Sequence, residues 1–191
     1  MKQIAWVFSV LLVAGVGFAQ EFALGGKVGN FTLSDAQGAP VEFSALKGDI
    51  TVVLFVATKC PISNDYNERM KALYQEYSAK GVKFVVINSN SSEPASEVAD
   101  HMKQNGFPFL VYKDANNVVA DRFGATVTPE SFVIDKTGTI RYHGHIDDSR
   151  NPTRIQTQGL RLALDAVLAG GEVKTTETKA FGCTIKRAKK S

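Results

Sequence analysis

The stretch Val52-Val53-Leu54-Phe55-Val56-Ala57-Thr58-Lys59-Cys60-Pro61-Ile62-Ser63 decides how this chain is read. It begins as an unbroken apolar run of strand length, the composition of a strand covered on both faces. It then reaches a cysteine at the entrance to a segment with helical spacing. The first N–H groups of a helix have no intrahelical partner and favour negative charge, so a thiol placed there is biased toward the thiolate. A Cys60 pKa below the free-cysteine value of about 8.5 is therefore expected. Lys59 places a positive charge beside it, and Pro61 suits a first helical turn, where an amide hydrogen is not needed. Ser63 follows three residues on; its hydroxyl is expected to donate to the Cys60 sulfur, but it cannot form a disulfide. The plainer alternative is that Cys60 is a small buried hydrophobe.

Outward from this stretch, Phe31-Thr32-Leu33 and Val41-Glu42-Phe43 alternate apolar and polar residues around the turn-rich Asp35-Ala36-Gln37-Gly38, a small β-hairpin. Tyr66, Met70, Leu73, Tyr74 and Tyr77 have helical spacing, ended by Gly81. Residues 82–87 form a second buried-type strand followed by the polar loop 88–92. Pro94 opens a helix carrying Val98, Ala99 and Met102, and Gly106 ends it. Strands alternating with helices in this way indicate an α/β sheet. After a strand at 109–112 and a turn or short helix at 116–123, residues 131–134 and 139–146 flank Asp135-Lys136-Thr137-Gly138, an antiparallel hairpin. Leu160, Ala163, Leu164, Val167 and Leu168 mark a last helix, and residues 172–191 form a polar tail around Cys183. No internal repeat is present.

Residues 1–19 read as a secretory signal, with Lys2 near the start, an apolar core and the small-residue end Gly17-Phe18-Ala19. An uncleaved anchor is the rival reading. Cleavage would place the protein in the periplasm or outside the cell, with no stable membrane insertion. The formal net charge of +3 falls to about +2 without Lys2. Lys186, Arg187, Lys189 and Lys190 supply four positive charges at the end, so the remaining body is about −2. That balance gives no basic field for nucleic acid. Two cysteines, Cys60 and Cys183, are too few for a disulfide scaffold but enough for a redox cycle in an oxidising compartment.

Pro129 opens a strand, where proline removes a ladder donor and restricts Thr128. A cis Thr128–Pro129 bond would leave the backbone of Thr128 to pair with an extended substrate beside Cys60; cis and trans both remain open. His143 and His145 lie two apart on an expected strand, and without a third ligand nearby they make a poor metal site. His101 reads as a solvated helix residue. Asp147-Asp148 reads as a turn or cap more readily than as a catalytic carboxylate pair.

The segments Gly26 onward through "NFTLSDAQGAPVEFSALKGDITVVLFVA", Phe55-Val56-Ala57-Thr58-Lys59-Cys60 and Val127-Thr128-Pro129-Glu130-Ser131-Phe132-Val133-Ile134-Asp135 resemble the thioredoxin-like redoxins. His143-Gly144-His145-Ile146-Asp147-Asp148-Ser149-Arg150 and Gly182-Cys183-Thr184-Ile185-Lys186 are similar to the end of a peroxiredoxin-like subgroup related to alkyl hydroperoxide reductase and thiol-specific antioxidant proteins. The resemblance implies a thioredoxin-like α/β fold, with a central mixed sheet flanked by helices and an N-terminal β-hairpin extension. It implies a redoxin domain over residues 26–171, followed by the tail 172–191. It further implies a thiol–disulfide oxidoreductase without a cofactor, partnered by a thiol or disulfide protein or a small-molecule oxidant. Cys60 would be the nucleophile and Cys183 the candidate resolving thiol, with Ser63 and Lys59 tuning the sulfur and Thr128 and Pro129 shaping the groove. Ser63 stands where thioredoxins carry a second cysteine. Ala57 and Pro129 stand where peroxiredoxins carry a hydroxyl residue and an arginine, for which Arg69 or Arg122 would have to substitute. The alternatives are therefore a thiol-dependent hydroperoxide reductase and a non-enzymatic module holding a metal or haem-related partner with Cys60, His143 and His145.

Overall fold

The computed structural model describes residues 21–189, so the expected signal at 1–19 lies outside the described residues. A mixed sheet of seven strands forms the centre. In chain order these are β1 (Thr32–Ser34), β2 (Pro40–Glu42), β3 (Thr51–Val56), β4 (Lys83–Asn88), β5 (Val111–Lys113), β7 (Glu130–Ile134) and β8 (Ile140–Gly144). The two remaining strands, β6 (Val127–Thr128) and β9 (Cys183–Thr184), pair separately with each other. In space the order is β2-β1-β5-β4-β3-β7-β8. Strand β3 runs parallel to β4 and antiparallel to β7, while β4 runs parallel to β5. Every residue of β3 is buried, as its unbroken apolar composition requires of a central strand.

The helices are α1 (Phe43–Leu46), α2 (Pro61–Asp65), α3 (Asn67–Ser78), α4 (Ala95–Gln104), α5 (Val118–Phe123) and α6 (Gly159–Leu168). Two apolar clusters cover the two faces of the sheet. One collects Val52, Leu54, Tyr66, Met70, Tyr77, Val86 and Leu160. The other collects Phe22, Phe31, Phe55, Ile87, Phe123, Phe132 and Ile185. Alternate residues of β3 supply one cluster and then the other, the period-two geometry of a strand.

Several local expectations change. Phe43 does not extend the hairpin but starts the one-turn helix α1, where its ring stacks on Phe31 at 4.5 Å. The helix after Cys60 is interrupted at Tyr66, where the Tyr66 N–H tightens to an i−3 bond with Ser63 O. Pro94 precedes α4 as its N-cap rather than lying inside it. Asn116 and Asn117 adopt left-handed backbone (φ 58° and 62°), which asparagine tolerates, and so turn the chain into α5. His145 lies just past the end of β8. The tail is ordered against the domain: Val173 and Ile185 are buried, and Thr176 and Thr178 exchange backbone hydrogen bonds with His143.

Candidate active site

Strand β3 delivers Cys60 to the end of the sheet, where the residue becomes the N-cap of α2 with extended backbone (φ −88°, ψ 113°). Its sulfur occupies the place an N-cap oxygen usually takes. The backbone N–H of Ser63 donates to Cys60 Sγ at 3.2 Å. This corrects the expectation for Ser63, whose hydroxyl instead accepts from the Ala57 N–H at 3.2 Å. The physical reason is that the third N–H of a helix points back at the cap, whereas the Ser63 side chain, buried at 1 % exposure, turns toward the preceding loop. Because α2 is a single short turn, this local N–H is a better account of sulfur stabilisation than a long helix dipole.

Lys59 is also placed differently. Its Nζ pairs with Glu97 Oε2 at 2.8 Å in an exposed ion pair, so its charge is compensated beside the site rather than directed at the thiol. The backbone of the same loop is held from behind by Glu93, which accepts from Thr58 N–H at 2.9 Å and Lys59 N–H at 3.0 Å. Asn88 Nδ2 donates to the same carboxylate. Burial pushes the Glu93 carboxyl pKa up, but the donors of Asn88, Thr58 and Lys59 outweigh it and leave it below the ordinary value. Glu93 is only 3 % exposed. A buried carboxylate clasping two consecutive amides fixes the loop that carries the cysteine.

The Thr128–Pro129 bond is cis. The Thr128 carbonyl oxygen lies 3.5 Å from Cys60 Sγ, in reach of a thiol proton when the sulfur is reduced. Glu130, next in sequence, holds this turn by accepting from the N–H groups of Thr126 at 2.8 Å and Val127 at 3.1 Å. Its other oxygen lies 2.6 Å from His143 Nε2, and the His143 ring stacks on Phe132 with centroids 4.3 Å apart. His143 therefore serves the cis-proline turn. His145 is buried, with its N–H on the Thr178 hydroxyl at 3.1 Å. Among the described residues no group of three or more His, Cys, Asp or Glu side chains is arranged to hold a metal. His101 packs edge-on against Phe107 rather than standing in solvent, and burial lowers its pKa.

Cys183 meets Cys60 across 123 residues of sequence as a disulfide with Cα atoms 5.8 Å apart. The tail reaches this position as β9, with Cys183 opposite Thr128 and Thr184 opposite Val127. The backbone of Thr128, expected to receive an extended substrate, is thus occupied by the chain itself. Cys60 is 3 % exposed, and Cys183 is half-buried. Beyond Cys183, Lys186 N–H donates to Asn90 Oδ1 at 2.7 Å and Ala188 N–H to Asn117 Oδ1 at 2.7 Å.

The two arginines weighed as peroxide ligands are engaged elsewhere. Arg69 grips Asp147 at 2.7 Å and lies over the Tyr66 ring, and Arg122 pairs with Glu21 at 2.7 Å. Asp147 is thereby an ion-pair partner, while Asp148 accepts from Gln156 N–H at 2.9 Å as a turn residue. Glu93, Asn90 and Glu130 were not singled out from sequence. For Glu93 and Asn90 the available signal is the run of polar residues Asn88 to Glu93 directly after the apolar Phe84-Val85-Val86-Ile87, where burial obliges polar groups to find partners.

A family model described as the AhpC/TSA family matches residues 24–143. The thiol-disulfide oxidoreductase ResA of Bacillus thuringiensis (strain Al Hakam) is 27 % identical over 143 residues, covering 70 % of this chain and 82 % of that protein. A crystal structure of a hypothetical protein from Sinorhizobium meliloti 1021 superposes with a TM-score of 0.80 at 31 % identity, covering 88 % of this chain and 97 % of the other. Peroxidoxin BcpB from Mycobacterium tuberculosis shares the fold with a TM-score of 0.62 at 24 % identity, over 78 % of this chain and 97 % of its own.

Proposed function

The chain belongs to the AhpC/TSA family, and we propose that within it this protein is a thiol–disulfide oxidoreductase working through the Cys60–Cys183 pair. The observation that carries the reading is the seating of both sulfurs at the cis-proline turn, with the Ser63 N–H directed at Cys60. In the reduced protein the Cys60 thiolate attacks one sulfur of a substrate disulfide, forming a mixed disulfide and expelling the other sulfur as a thiolate. Cys183 then gives up its proton and attacks Cys60 Sγ, closing the internal disulfide and releasing the second substrate thiolate. Two electrons pass from protein to substrate. A second thiol donor returns the pair to its reduced state. Cys60 is the better leaving group in that return step, because the Ser63 N–H stabilises the anion it becomes.

The name of the ResA relatives and the missing peroxide-orienting groups both favour disulfide exchange over peroxide reduction. Ala57 offers no hydroxyl, Pro129 no guanidinium, and Arg69 and Arg122 are committed to Asp147 and Glu21. Family membership keeps a thiol-dependent peroxidase as the second reading. Its test is stopped-flow oxidation of Cys60 by hydrogen peroxide: a rate no faster than a free thiol at matched pH rejects it. The leading reading is tested by mass mapping under non-reducing conditions and by turnover of a disulfide probe. A Cys60–Cys183 peptide and turnover lost in Cys60→Ser are expected, and absence of the link under every oxidant would remove the resolving role. Export by residues 1–19, to the periplasm or beyond, completes the proposal, since an oxidising compartment suits the pair.

A further inference from the structure

An extended polypeptide that docks by strand addition needs a free backbone edge. Beside Cys60 that edge is Thr128, and it is filled by the tail, in register from Val127 to Thr184 and Thr128 to Cys183. The approach is close enough that a methyl group on Gly182 would overlap the Thr128 carbonyl.

The contacts that hold this segment do not involve sulfur. Upstream, the His143 N–H donates to Thr176 O at 2.9 Å, the Thr178 N–H to His143 O at 3.0 Å, and the Thr178 and Tyr142 hydroxyls lie 2.7 Å apart. Downstream, the Ile185 N–H donates to Thr126 O at 2.9 Å while its side chain is buried in the second apolar cluster. Lys186 is held three times, its N–H by Asn90 Oδ1 at 2.7 Å and its carbonyl by the Ser91 N–H at 2.9 Å and Asn117 Nδ2 at 3.3 Å. None of these links on either side of Cys183 depends on the Cys60–Cys183 bond.

We propose that residues 182–184 are a built-in occupant of the substrate edge, so that the pair exchanges with compact, low-molecular-weight thiols and disulfides and not with extended polypeptide segments. This rests on the thiol–disulfide reading above. A compact disulfide needs only a line of approach to a sulfur, not the backbone of Thr128. A thiolate of the reduced pair attacks R–S–S–R and expels RS⁻. The second protein thiol, its proton passing to water, attacks the mixed disulfide, closes Cys60–Cys183 and expels the second RS⁻. Asn90 and Asn117 are positioning residues that keep the tail in place between turnovers.

The test uses the reduced full chain and two probes: bis(2-hydroxyethyl) disulfide, and a disulfide-linked dimer of a ten-residue peptide with a central cysteine. Each rate of dithiol oxidation is divided by that of free dithiothreitol with the same probe. The wild type is expected to favour the compact probe at least 100-fold. In Asn90→Ala, and independently in Lys186→Pro, which deletes the N–H that Asn90 receives, the preference is expected to fall at least tenfold because the peptide rate rises. Equal normalised rates in the wild type, or a preference unmoved in whichever variants fold, would overturn the inference. Failure of both probes to oxidise the reduced protein would instead overturn the thiol–disulfide reading, and the inference with it.

Discussion

Thr128 and Cys183 face one another across a two-residue antiparallel bridge, with cis Pro129 following the first and the bond to Cys60 leaving the second. The redox pair is therefore assembled by backbone pairing as much as by sulfur. Gly182 permits it, because any side chain there would run into the Thr128 carbonyl. Gly182→Ala is expected to lift the tail and weaken the disulfide about tenfold, moving the reduction potential up by about 30 mV. A redox titration against dithiothreitol reads this directly, and an unmoved potential would mean that the bridge does not hold Cys183.

The disulfide closes a loop of 123 residues, so removing it frees much of the unfolded chain. Cys183→Ser is expected to cost about 2–4 kcal/mol under oxidising conditions. Urea denaturation with and without reductant provides the check. Reductant should lower the wild-type midpoint toward that of Cys183→Ser and leave the variant unchanged.

Ser63 and Lys59 separate two ways of tuning a thiol. The group directed at Cys60 Sγ is the Ser63 backbone N–H, which Ser63→Ala retains. That variant should leave the Cys60 pKa close to wild type while costing about 1–2 kcal/mol, because the Ala57 N–H loses its acceptor. Lys59→Met should also move the thiol little, since Glu97 already compensates the charge. The pH dependence of iodoacetamide alkylation in the reduced protein measures both, and a large rise in pKa for Lys59→Met would restore the direct electrostatic role.

Glu93 links acid stability to the cysteine loop. Its carboxyl lies below the ordinary 4.5 because the amide donors outweigh burial. A carboxylate with a depressed folded pKa contributes stability that is complete above the unfolded value and lost as pH falls through the folded one. Wild-type denaturation midpoints should drop as pH falls below about 4.5, more steeply than those of Glu93→Gln. At neutral pH the variant itself is expected to lose about 2–4 kcal/mol, because an amide cannot accept from Thr58 and Lys59 on both its ends. Parallel slopes for the two proteins would exclude the linkage.

Tyr142 does the corresponding work at high pH. Burial pushes its hydroxyl pKa up to about 12, only partly opposed by its hydrogen bond with Thr178. The hydroxyl also donates to His145 O at 2.7 Å. Its folded pKa exceeds the unfolded value of 10.0, so its contribution is intact below pH 10 and fades as pH rises to about 12. The loss is about 2–3 kcal/mol. Alkaline denaturation of wild type and Tyr142→Phe, followed by circular dichroism, should show a steeper slope in the wild type than in the variant, which keeps Tyr66 and Tyr77, whose hydroxyl pKa values burial also raises.

Much of the fold was legible because it rests on local periodicity. The apolar run of β3, the helical spacing from Tyr66 to Tyr77 and the Asp135-Lys136-Thr137-Gly138 turn each specify an element through neighbours a few residues away. The break at Tyr66 and the one-turn helix at Phe43 were not legible, because each answers to a distant partner: Asp147 for the Tyr66 hydroxyl and Phe31 for the Phe43 ring. The sequence places Ser63 beside the Cys60 sulfur but does not specify which of its atoms faces it, since side-chain direction at the third helical position follows from packing behind the loop.

By itself the sequence determined an α/β chain with a cysteine at a strand-to-helix junction, a proline-restricted turn and a second cysteine far along a polar tail. Periodicity, caps and turns are encoded within single segments, so these needed no coordinates. Only the tertiary structure decided that the proline bond is cis, that Glu93 and Asn90 clasp the two cysteine-bearing segments, and that the tail fills the edge beside Thr128. The clasps and the filled edge join residues tens of positions apart, and the cis bond is held among them, so all of these form only when the whole chain has packed.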